Sequence, residues 1–228
     1  MSILTLSTDA SLRRLARPFV VALVAMVGAV LLGGCQQSMV SRSSEATDVL
    51  RDFAASEKPI PQDVMEKAEA IAVLHETDAG VVFGAVSGSG LLVQRTSKGW
   101  SAPIALDTVG GSFGAQIGGN SREIVLVFKN KTEVEKIIRD GNYGLAEASA
   151  TAGPAHGAAG DNDNPVETFA IVSGLYVGAR VGGVSFKVNS DVNHSTYGIN
   201  YSVEDILNGK VERPLGTSDF YRYLPAIK

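Results

Sequence analysis

Between Gly80 and Gly198 lie 20 of the chain's 25 glycines, and no other feature constrains the fold as much. Glycine weakens an ordinary strand, so glycines set among apolar runs mark bends, bulges or close backbone approach. From Gly80 to Asn130 four apolar runs stand between such breakers: Val81-Val82-Phe83, Leu91-Leu92-Val93, Phe113 to Ile117, and Ile124 to Phe128. Each has strand length and strand composition. Ile124 to Phe128 shows no polar alternation, which predicts a central strand buried on both faces. A sheet with this many glycines is expected to be strongly curved and barrel-like.

The 228 residues suffice for one domain with a real core. A net charge of −4 with no Lys/Arg run excludes the basic face of a nucleic-acid reader. The single cysteine, Cys35, excludes an internal disulfide framework and a cysteine-based zinc cluster.

That cysteine sits in an informative place. Arg13, Arg14 and Arg17 precede an apolar run from Phe19 to Leu32. The run is short for a membrane span and fits a signal segment. It ends in Leu32-Gly33-Gly34-Cys35, which resembles the bacterial lipobox: a branched residue, two small ones, then the cysteine that takes diacylglycerol. Residues 1–34 are therefore expected to be a lipoprotein signal peptide and Cys35 the lipid attachment. Gln36, in place of Asp, points to the outer membrane, facing the periplasm. The mature chain keeps 17 basic and 23 acidic residues, a net −6, so acyl chains and not charge would hold it there.

Residues 35–44 read as a serine-rich tether and 45–228 as the domain. Glu45 to Ser56 carries Val49, Leu50 and Phe53 on one helical face. Pro59 and Pro61 break it, and Gln62 to Ile71 repeats apolar residues at helical spacing. Thr132-x-x-Glu135 predicts a capped helix ending at Gly141. Leu145 to Ala152 is strand material, and Gly153 to Pro165 a polar loop. Glu167 to Val172, Leu175 to Val181 and Val184 to Val188 read as three strands. Ser202-x-x-Asp205 caps a short helix, and Ser218 to Leu224 forms a last helical turn. Without βα alternation the expected class is α+β: a curved antiparallel sheet with N-terminal helices and short helices packed on it.

Gly110-Gly111-Ser112-Phe113-Gly114 matches the nucleophile elbow of serine esterases, with Asp161, Asp163, Asp191 and His194 downstream. Gly118-Gly119 would break the helix that an elbow requires. Asp161-Asn162-Asp163-Asn164 alternates oxygen ligands, but Pro165 and Val166 stand where a calcium loop needs a ligand and a glycine. His75, His156 and His194 lack metal spacing, and no phosphate-binding loop occurs, so no metal, cofactor or nucleotide is expected.

Gly99-Trp100-Ser101-Ala102-Pro103, Gly110 to Gly118 and Val125-Leu126-Val127-Phe128 together resemble the signature of the SYLF domain. Leu145 to Pro154, Tyr176-Val177-Gly178-Ala179, Gly183-Val184 and Tyr197-Gly198 extend the likeness over roughly residues 46–224. The resemblance implies a non-catalytic phospholipid-binding module. Eukaryotic members bind phosphoinositides through an amphipathic N-terminal helix, and some bind actin. The expected partners are thus membrane phospholipid and the covalent lipid on Cys35, with Arg51, Lys58 and Lys67 as headgroup contacts. The alternatives are an envelope structural protein that binds a protein partner, and a serine esterase using Ser112.

Overall fold

The computed structural model describes residues 37–80, 83–140, 142–152, 155–159 and 165–226, and of 80, 83, 112–118, 142–152, 155–159 and 174–184 the backbone alone. The expected signal segment, Cys35, Val81-Val82 and Asp161 to Asn164 lie outside the described residues.

A hairpin forms the centre of the sheet. Strands β1 (Ala70–Gly80) and β2 (Phe83–Thr96) pair from Ala70 opposite Gln94 to Gly80 opposite Gly84. The 25-residue strand β4 (Ile104–Phe128) bends around its tip. The first part of β4 pairs with β2, from Ile104 opposite Leu92 to Phe113 opposite Phe83. Its last part pairs with β1, from Gly118 opposite Gly80 to Phe128 opposite Ala70. Strand β7 (Val166–Val188) follows the outer edge of β4 along its length. Outside β7 lie β5 (Asn142–Ala152) and β6 (Ala155–Ala159). The short β3 (Gly99–Trp100) extends the β2 edge. All pairings are antiparallel, so the sheet is a set of nested arcs. The expected curved sheet is present, and it is open rather than closed on itself.

The arcs correct one expectation. Phe113 to Ile117 and Ile124 to Phe128 belong to one strand, and the three runs between Glu167 and Val188 belong to another. The glycines that looked like strand breakers face one another across the ladder: Gly80 opposes both Gly84 and Gly118, and Gly111 opposes Gly183. Without Cβ atoms there, the pleat bends while its hydrogen bonds continue.

Alternation along the strands builds a core on each face. Ala70, Ala72 and Leu74 join Leu92, Leu106, Ile124, Leu126 and Phe128 on one side. Ile71 and Val73 join Leu91, Val93, Val125 and Val127 on the other. Burial on both sides of Ile124 to Phe128 is as the sequence predicts. Helices α3 (Lys131–Asp140) and α5 (Val203–Leu207) cover the first face with Val134, Ile137, Ile206 and Leu207. Helix α1 (Met39–Ala55) covers the second with Ala46, Val49, Leu50 and Phe53, beside Phe220 of α6 (Ser218–Tyr221). Each large side chain so buried contributes about 1.5–3 kcal/mol. The first face turns polar beyond Leu74, where buried Glu76 and Arg122 pair at 2.6 Å.

Several boundaries differ from the sequence reading. Helix α1 begins at Met39, inside the expected tether, because the Ser38 hydroxyl accepts from Ser41 N at 3.2 Å and caps it. Helix α2 spans only Gln62–Glu66. Glu69 N already donates to Phe128 O at 2.8 Å, so the sheet claims Ile71 from the expected helix. The Asn130 side chain caps α3, accepting from Glu133 N at 3.3 Å, in place of Thr132. Ala155–Ala159 is strand inside the expected loop. Helix α4 (Ser190–Tyr197) has no counterpart in the sequence reading, and Asn189 caps it. The Ser202–Asp205 capping box forms as expected.

Candidate functional site

Helix α1 ends at Ala55, and Pro59 and Pro61 turn the chain into α2. A groove of about 590 Å3 opens between these helices and the C-terminal segment. Leu50, Phe53 and Ala54 form one wall, Pro59, Ile60 and Met65 a second, and Tyr223 to Ala226 a third. Gln62, Glu66 and Arg95 are its polar lining. The size is that of a small-ligand site, and the mostly apolar lining with a few polar groups is typical of one.

Arg95, from the end of β2, is held firmly. Its Nε donates to Ala68 O at 2.7 Å and its Nη2 to Glu66 O at 3.0 Å. Its guanidinium lies 4.9 Å from the centre of the Trp100 ring. Trp100 is the hub of this end of the molecule. Its Nε1 donates to Pro225 O at 2.9 Å, and its carbonyl accepts from Arg213 Nη2 at 2.7 Å. Arg213 in turn stacks 3.8 Å over the Tyr221 ring. The Tyr221 hydroxyl donates to Ser101 O at 2.8 Å, and the Tyr197 hydroxyl to Pro103 O at 2.6 Å. Burial pushes both phenols far above their ordinary pKa, so both remain donors. The Gly99-to-Pro103 signature is thus the place where the C-terminal segment is bolted to the sheet.

A second depression, lined by Lys98, Trp100 and Arg213, shares Leu224, Pro225 and Ala226 with the groove. Among the described residues no carboxylate stands within ion-pair distance of Arg95, Lys98 or Arg213. In an acidic protein these three positive charges around one tryptophan have no ion-pair partner among the described residues.

The cations expected from sequence are placed differently. Arg51 is exposed and paired with Asp48 within α1. Lys67 is exposed and paired with Asp63 at 3.2 Å. Lys58 is exposed in the bend after α1. None of the three lines the groove. Ser112 lies inside β4 with Gly84 on one side and Gly182 on the other, and strand follows it, so the strand-to-helix turn of an elbow is absent there. His75 and His194 lie apart, on β1 and α4, and no group of three potential metal ligands forms among the described residues. Arg95, Lys98 and Arg213 escape sequence reasoning because they form no run. The one available signal is Trp100 placed between Arg95 and the two prolines Pro103 and Pro225.

Residues 109–227 match the family model described as Las17-binding protein actin regulator, Ysc84. An SH3 domain-containing protein of Schizosaccharomyces pombe is 29% identical over 202 residues, covering 82% of this chain and 47% of that one. LAS seventeen-binding protein 3 of Saccharomyces cerevisiae is 27% identical over 203 residues, covering 82% and 44%. The human SH3 domain-containing YSC84-like protein 1 is 28% identical over 203 residues, covering 83% and 59%. The chain thus spans about half the length of the curated relatives it matches. No solved structure matches it. On the family match, which takes in most of the glycine-bent strand β4, all of β7 and the C-terminal segment bolted to Trp100, the chain belongs to the Ysc84, or SYLF, family.

Proposed function

We propose that the chain is a lipid-anchored envelope protein whose SYLF domain binds phospholipid without catalysis. In this reading residues 1–34 are removed and Cys35 carries the acyl chains. Gln36 directs the protein to the outer membrane, where the domain faces the periplasm. The apolar face of α1 is spent on the sheet, with Val49, Leu50 and Phe53 all buried, so that helix does not itself enter the bilayer. Lipid is met instead at the groove where α1 ends, and that apolar groove beside cations without an ion-pair partner among the described residues is the observation that carries the reading.

Flotation with vesicles of mixed zwitterionic and anionic phospholipid tests it. Gln37 onward forms a compact unit with the hydrophobic clusters of both sheet faces inside it, so this part is used without the anchor. It floats with the vesicles if the domain binds phospholipid, and stays in the soluble fraction if membrane association belongs to the anchor alone. A second reading, an interaction module for another envelope protein, draws support from the relatives' names, which speak of binding a protein. Crosslinking in envelope membranes that captures one stoichiometric protein, with no flotation, favours it.

A further inference from the structure

We infer that the groove and the adjoining depression form one site for a single-chain anionic amphiphile, a fatty acid, with its chain among Phe53, Ile60 and Met65 and its carboxylate at Lys98 and Arg213. The inference rests on the lipid-binding reading and narrows it to a ligand class and a place.

Two observations meet here. The first is shape: the two concavities share Leu224 to Ala226, so a ligand can lie across that ridge with one end in each. The groove is apolar on three walls, as a hydrocarbon chain requires, and its volume is in the lower half of the small-ligand range, which suits one chain better than two. The second is charge. Arg95, Lys98 and Arg213 have no carboxylate partner among the described residues, and Trp100 and Tyr221 pack against two of the guanidiniums. Arg95 and Arg213 are preorganised by the carbonyls of Ala68, Glu66 and Trp100, so an incoming carboxylate finds fixed donors. Lys98 is exposed in the turn before β3 and adds a mobile charge at the rim. An uncharged chain would leave these cations unanswered, and a small inorganic anion would leave the groove empty.

Trp100 is the chain's sole tryptophan, lines the depression and donates to Pro225 of the shared ridge, so it reports directly. The chain from Gln37 onward is titrated with palmitate brominated along its chain, with unbrominated palmitate and with hexadecanol. Brominated palmitate is expected to quench Trp100 saturably to less than half its starting intensity, and unbrominated palmitate to compete. Hexadecanol should bind at least tenfold more weakly. Met65→Glu, which puts a charge in the groove, should abolish quenching. Lys98→Glu, at an exposed turn where folding is not at stake, should weaken binding about tenfold in low salt and less in high salt. No quenching, equal binding of the alcohol, or Lys98→Glu binding like the natural chain overturns the assignment. Flotation with vesicles but no quenching would sink this inference and leave the lipid-binding reading standing; quenching without flotation would sink that reading as applied to bilayers.

Discussion

His75 Nδ1 lies 3.0 Å from Glu45 Oε1 and ties α1 to the central hairpin. The other ring nitrogen is 2.6 Å from Ser121 Oγ on β4. Ser89 of β2 donates to Glu45 as well, at 3.2 Å. The imidazole of β1 thus links α1 to β4, and Ser89 ties the same carboxylate to β2.

This link predicts a pH dependence. The hydrogen bond that His75 donates to the Glu45 carboxylate holds His75 above its ordinary 6.5, against the opposing pull of burial. That stabilisation is complete below 6.5 and is lost as pH rises through the raised folded-state value. Glu45 is held below its ordinary 4.5, first by His75, so its share is present above 4.5 and lost as pH falls through the lowered value. Glu123 is pushed up by burial and by Asp52, so its ionisation costs stability as pH rises past 4.5. Stability should therefore peak on the acid side of neutrality. Because His75 and Glu45 are partly exposed, the fall as pH rises above 6.5 should be roughly 0.5–1 kcal/mol in urea denaturation. His75→Gln should flatten it; parallel curves for the two proteins would refute the link.

Gly90 should not tolerate a side chain. A Cβ there would lie 2.9 Å from Leu74 Cα and against the Val73 carbonyl, backbone that cannot step aside. Gly90→Ala should cost about 2 kcal/mol or more in thermal or urea melts. Gly111→Ala is the control: its nearest neighbour, Gly84 O, is 3.8 Å away, an ordinary contact, and the loss should stay under about 1 kcal/mol.

Arg42 pins the first turns of α1. It is buried, donates to Leu106 O at 2.5 Å and pairs with Asp107 at 2.7 Å. Arg42→Ala should destabilise by about 2–3 kcal/mol, because a charged donor is lost and a buried carbonyl is left without it. A chain beginning at Glu45 should melt lower than one beginning at Gln37 for the same reason. Equal melting temperatures would show that α1 does not need this turn.

Ser112→Ala and the natural chain should be indistinguishable toward short-chain esters, both at the uncatalysed rate. Esterase activity that disappears with the substitution would restore the hydrolase alternative.

The sheet is legible in the sequence but the number of its strands is not, and the reason lies in how glycine speaks. Gly118-Gly119 and Gly182-Gly183 are turn signals when each segment is read alone. They lie within β4 and β7, and three of them face a glycine or a serine across the ladder: Gly118 faces Gly80, Gly182 faces Ser112 and Gly183 faces Gly111. Helical spacing of Val64, Met65, Ala68 and Ile71 was equally misleading, since pairing with Val93 and Val127 outweighs local periodicity at Ile71. Short-range chemistry was read well at Ser202 and Asp205, whose reciprocal cap involves only near neighbours. The groove was invisible because Phe53, Arg95 and Leu224 meet only through the fold, and the cations around Trp100 come from segments more than a hundred residues apart in sequence.

The most direct test of the account is the intact mass of the mature protein purified from cell envelopes. The account predicts a chain that begins at Cys35 and carries the added mass of diacylglycerol and an amide-linked acyl chain. A chain that begins elsewhere, or whose mass equals that of the bare polypeptide with Cys35 as a free thiol, would contradict it.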